Sequence, residues 1–129
     1  MQLSHLALIS PLLVTLLSGC SSNHNLRDGD SSLGGGYQTI PVNTSIYYIY
    51  VRTNPAIVAR HDTAKEMFMR QARDACNSDN IGIVNGKTQI YHSKFDPLIV
   101  TETLDYAVCL DDGQSDVQIR TSISDYEQS

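Results

Sequence analysis

The stretch SIYYIYVRT at residues 45–53 sets the tightest limit on the fold. Its β-branched and aromatic residues favour an extended strand. Successive side chains of a strand point to opposite faces. Here both alternating sets, Ile46/Tyr48/Tyr50 and Tyr47/Ile49/Val51, are apolar. Such a strand is central or covered on both faces. Pro41 and Asn43 interrupt the residues before it, which read as a short lead-in. Tyr47, Tyr48 and Tyr50 also form a candidate binding surface, because tyrosine serves interfaces well. The same three residues are equally accounted for by the strand alone.

Residues 64–77 carry helical periodicity. Ala64, Met67, Phe68, Gln71, Ala72, Ala75 and Cys76 recur at i, i+3, i+4 spacing. Thr63 and Glu66 have the spacing of a capping box, which predicts the helix start. Next, Asn85-Gly86 lies between two β-prone runs and predicts a type I′ hairpin turn. A longer strand is expected over 99–110. Val100, Leu104, Tyr106, Val108 and Leu110 share one face; Thr101, Thr103, Asp105 and Cys109 share the other. A helix packed on the apolar face would leave Cys109 pointing away from Cys76. Either a bulge near Ala107 or a covered second face resolves this. Val117, Ile119, Thr121 and Ile123 alternate and read as an edge strand, with residues 125–129 as a fraying tail. The expected fold is α+β: one amphipathic helix on a small, mainly antiparallel sheet, in the order β-α-β-β with an extra edge strand.

The chain begins with an apolar run, residues 6–17, of about a dozen residues, whereas a spanning helix needs roughly 20. That length suits the h-region of a secretory signal. The run ends in Leu17-Ser18-Gly19-Cys20, which resembles the lipobox of bacterial lipoproteins. The resemblance covers residues 1–20 and implies cleavage before Cys20, with acylation of its thiol and of the new amino terminus. Each buried methylene contributes about 0.8 kcal/mol, so several acyl chains hold firmly without a spanning helix. Ser21, rather than aspartate, follows the cysteine. Within the lipoprotein family this implies the outer membrane, with the domain in the periplasm. Residues 1–19 are then the signal peptide and 20–36 the lipidated cysteine with a flexible Gly- and Ser-rich linker. Residues 37–124 form the small periplasmic domain and 125–129 its tail.

With Cys20 assigned to lipid, Cys76 and Cys109 remain. An even remainder in an exported chain reads as one disulfide. The formal charge of −5 falls entirely after Cys20, so the chain is a poor candidate for nucleic acid or anionic lipid surfaces, which attract basic patches. The order of elements, with one cysteine at the helix end and a second in a late strand reading Tyr106-Ala107-Val108-Cys109, loosely resembles small envelope lipoproteins such as the stress-sensor lipoprotein of the Rcs pathway. That family has four domain cysteines and this chain two, so its sensing role is not carried over.

Chemistry-bearing motifs are sparse. His61-Asp62 sits at the helix start, where capping explains both residues. His92 has no acidic or cysteine neighbour in sequence, and His24 lies in the linker. Metalloprotease, hydrolase and phosphate-loop patterns are absent from the sequence. No cofactor, metal or catalytic residue is expected. Two function classes remain. The first is a non-catalytic, membrane-anchored accessory that binds another envelope protein for assembly or sensing. The alternative is a periplasmic enzyme inhibitor of the lysozyme-inhibitor type, or a small enzyme.

Overall fold

The computed structural model describes residues 23–93 and 97–129, so the lipobox and the apolar run lie outside the described residues. Strands β1 (Gly36–Pro41) and β2 (Ile46–Arg52) come first, followed by helix α1 (His61–Cys76). Then come β3 (Ile81–Ile83), β4 (Lys87–His92), β5 (Ile99–Cys109) and helix α2 (Asp116–Gln128). The fold is α+β: an open, antiparallel, five-stranded sheet with two helices. The sheet order is β1-β2-β5-β3, and β4 also pairs with β5. Because β2 and β3 both run antiparallel to β5, they run parallel to each other. Helix α1 is therefore the crossover of a split β-α-β unit around β5.

The double-sided apolar strand is covered on both faces. In β2 and β5, Ile49 faces Asp105, Val51 faces Thr103 and Tyr47 faces Ala107. This face carries α1, whose Ala64, Met67, Phe68 and Ala72 pack with Ile49, Val51 and Ala107. On the opposite face Ile46 pairs with Val108 and Tyr48 with Tyr106. There Ile123 of α2 closes a second cluster with Ile46, Tyr106 and Val108.

The Cys109 problem is resolved by this double cover. Helix α1 packs on the more polar face of β5, where Asp105, Ala107 and Cys109 lie, and the register of β5 against β2 is unbroken from Glu102 to Val108. Cys109 thus faces Cys76, the last residue of α1, and the two form a disulfide across 33 residues of sequence. Closing a loop of that length removes roughly 3–4 kcal/mol of chain entropy from the unfolded state.

Several expectations are corrected. The segment read as an edge strand at 117–123 is the body of α2, and the supposed tail at 125–129 continues that helix to Gln128. Ser115 and Gln118 form the capping box that starts it. Asn85-Gly86 does not reverse the chain. Both β3 and β4 pair with β5 along one edge, and the register shifts by one residue between them. Asn85 and Gly86 together oppose Asp105, forming a β-bulge in which Gly86 takes a φ of 63°. Buried Asp105 holds the bulge: its carboxylate accepts the backbone N–H groups of Asn85 and Gly86, as well as its neighbour Tyr106. The start of α1 also differs. The helix begins at His61 without a side-chain cap, so the Thr63–Glu66 box does not form. Instead the Arg60 N–H donates to Thr101 Oγ1 at 2.8 Å.

The linker reading fails for residues 23–36. The Tyr37 N–H donates to the His24 carbonyl at 2.9 Å. Asn25 bridges Tyr37, and Leu26–Asp28 form a 3-10 turn. Gly35 donates its N–H to Asn54 Oδ1 at 3.0 Å, and a Cβ at Gly35 would collide with that oxygen. Glycine there permits close approach rather than flexibility.

Candidate functional site

Helix α2 ends over Tyr48 and Tyr106, leaving the rest of that sheet face without a helix. Three rings terminate the covered half. Tyr48 and Tyr106 lie with centroids 5.2 Å apart, and Tyr126 of α2 meets Tyr106 edge-on at 6.2 Å. Tyr106 Oη donates to Glu127 Oε1 at 3.1 Å, which seats the end of α2. Burial and this hydrogen bond push the Tyr106 phenol up to about 12.

Beyond the rings the register continues with Tyr50 opposite Leu104 and Arg52 opposite Glu102. Across β5, Gln89 faces Glu102 and Tyr91 faces Val100. Alternation therefore brings Tyr50, Arg52, Glu102 and Tyr91 to one surface. Tyr50 Oη donates to Glu102 Oε1. Burial, followed by this bond, holds the Tyr50 phenol well above its ordinary range. Tyr91 is raised by burial first and by its bond to Glu102 next. Both phenols are therefore neutral donors at neutral pH.

A cleft of about 440 Å³ opens beside this group. Arg52, Tyr91 and Val100 line it from the sheet, Ser31, Leu33 and Gly34 from the loop before β1, and Pro55 from the β2–α1 connection. Arg52 Nη2 donates to Asp30 Oδ1 at 2.7 Å, pinning the loop to β2. The Arg52 Nε is buried without a hydrogen-bond partner. The cleft size lies within the range of small-ligand sites. It offers apolar walls beside an unspent guanidinium donor and is suited to hold a group that carries a hydrogen-bond acceptor.

The sequence-derived surface of Tyr47, Tyr48 and Tyr50 is divided by this geometry. Tyr47 lies on the α1 face and packs against the core there. Tyr48 joins the ring cluster under α2, and Tyr50 borders the cleft. Arg52, Glu102 and Tyr91 were missed by sequence reasoning, although their spacing within strands carried the signal. His61 is the first residue of α1 and His92 the last of β4. His24 Nε2 is hydrogen-bonded to the Gly29 carbonyl at 2.8 Å. Among the described residues no cluster of three His, Cys, Asp or Glu side chains is placed to hold a metal ion. Nor is any described helix long and apolar enough to cross a membrane. Cys20 lies outside the described residues.

Comparison with family models, with curated proteins and with solved structures finds no match to this chain.

Proposed function

We propose that this chain is a lipoprotein of the bacterial envelope, anchored in the outer membrane through acylated Cys20, with a non-catalytic domain that binds another envelope protein. The observation that carries the reading is the Cys76–Cys109 disulfide, which staples α1 to β5. Disulfides persist in exported proteins and are rare in reducing compartments. Together with the Leu17-Ser18-Gly19-Cys20 lipobox, this supports export followed by anchoring. The binding part of the reading draws on the open half of the α2 face. There the Arg52 Nε, buried without a hydrogen-bond partner, faces a cleft with apolar walls, which suits recognition of a group that carries an acceptor.

The test is the intact mass of protein extracted from membranes, before and after reduction. The expected species starts at Cys20, carries three acyl chains and gains the mass of two hydrogen atoms on reduction. A species that retains Met1, with no lipid and free thiols, overturns the reading. Inhibition of lysozyme by the purified domain would instead support the inhibitor alternative.

A further inference from the structure

Leu33, Ile57 and Val58 are unusually exposed for large apolar residues, at 64%, 78% and 61%. Residues 53–60 connect β2 to α1, and the loop before β1 lies beside them. Gly35 is hydrogen-bonded to Asn54, and Leu33 and Pro55 line the same cleft. All three residues thus sit on two adjacent loops at one end of the sheet. Val117, 74% exposed, starts α2 just after the turn that follows Cys109, at the opposite end.

The chain outside the described residues selects an occupant for this end. Only residues 21 and 22 separate Cys20 from Asn23, whose side chain meets Gln71 of α1 at 3.5 Å. Three residues reach at most about 11 Å when fully extended. The Tyr37 N–H donates to the His24 carbonyl, so the tether enters the domain beside the start of β1, the end of the sheet from which residues 53–60 also emerge. The domain therefore has too little slack to stand clear of a bilayer that holds Cys20. Resting on the proposed lipid anchor, we infer that the domain lies against the membrane and dips Leu33 and Ile57-Val58 into its interface. The occupant is phospholipid, engaged by apolar insertion. The acidic net charge gives no general attraction to anionic headgroups, and two short apolar loop tips beside an acyl anchor add binding without it.

The chain contains no tryptophan, so single-tryptophan variants each report one place. Leu33→Trp, Val58→Trp and Val117→Trp are made in the full acylated protein. Each is reconstituted in phosphatidylcholine vesicles that contain brominated phosphatidylcholine. All three positions are exposed, so none of the variants disturbs the core. Tryptophan at 33 and 58 is expected to shift to shorter emission wavelength and to be quenched severalfold more than at 117. Equal, weak quenching at all three positions overturns the inference while leaving the anchor intact, provided the same sample shows acylated Cys20 by mass. An unmodified Cys20 overturns the anchor and the inference together. A shift at 58 that requires native outer-membrane vesicles, and is absent in pure lipid, assigns the loop to a protein partner and likewise overturns it.

Discussion

The two faces of the sheet solve the same burial problem in different ways. On the α1 face an apolar cluster of Ile49, Val51, Met67, Phe68 and Ala107 is buried, and a disulfide locks one end of the helix to β5. On the α2 face one helix residue, Ile123, is fully engaged, and tyrosine rings complete the packing. The first face holds the fold together. The second is covered for half its length and keeps the other half accessible. Local stability is uneven in proteins, and binding surfaces are drawn from the less stable parts. Here the division falls between two sides of one sheet.

Core truncation gives the sharpest contrast. Phe68 is 2% exposed at the centre of the α1 face, so Phe68→Ala should cost about 3–5 kcal/mol. That is a large share of the roughly 5–15 kcal/mol that stabilises a domain in total. Ile123→Ala on α2 should cost about 2 kcal/mol, because that residue is 9% exposed and loses fewer buried atoms. Urea unfolding of both variants measures the difference. Equal losses would mean that the two faces carry equal weight.

Replacing both Cys76 and Cys109 by alanine should remove roughly 3–4 kcal/mol. The loss should fall on the α1 face. Hydrogen exchange at the end of α1 should quicken more than exchange in α2. A uniform rise over both helices would show that the disulfide stabilises the whole unit evenly.

Asp105→Ala tests the polar device buried beneath α1. The carboxylate, 3% exposed, receives three backbone N–H groups, two of them from the bulge. Leaving buried donors unpaired costs about 1–3 kcal/mol. The amides of Asn85 and Gly86 should lose protection ahead of the rest of the edge. Unchanged protection there would mean that the bulge is held by strand pairing alone.

These features differ in how plainly the residues announce them. The helix at 61–76 and the double-sided strand at 46–52 were legible because their periodicity is local and strong. The need for two covers was legible too, but the identity of the second was not. Val117, Ile119, Thr121 and Ile123 alternate with a period of two, while Ile119, Ile123 and Tyr126 also fit the i, i+4, i+7 face of a helix. The capping pair Ser115 and Gln118 distinguishes the two readings. Asn85-Gly86 carries the signature of a hairpin turn, and only the distant carboxylate of Asp105 turns it into a bulge. The ordering of residues 23–36 depends likewise on Tyr37, Asn54 and Arg52, far along the chain from the segment they hold. Tyr47, Tyr48 and Tyr50 were visible as a candidate surface, but their division between faces depended on a register that composition does not reveal.

The smallest effect expected is alkaline, and it belongs to the α2 face. Tyr48, Tyr50, Tyr91 and Tyr106 all lie there and are all raised from 10.0, with burial the first cause in each. For Tyr106 the folded value is about 12 and the hydrogen bond to Glu127 is the second cause. The fold thus favours the protonated phenol. Its contribution is fully present below pH about 10, where the unfolded chain is also protonated. It is lost as pH rises through about 12, because the unfolded state releases its proton first. Tyr106→Phe should therefore flatten part of the decline in stability between pH about 10 and about 12, leaving the share of the other three tyrosines. Unfolding in urea at stepped alkaline pH measures the slope for each protein. A variant with the wild-type slope would mean that neither burial nor the bond to Glu127 holds the Tyr106 phenol protonated in the folded chain. The end of α2 would then lie loosely on Tyr48 and Tyr106, and the contrast between a locked and an adaptable face would widen.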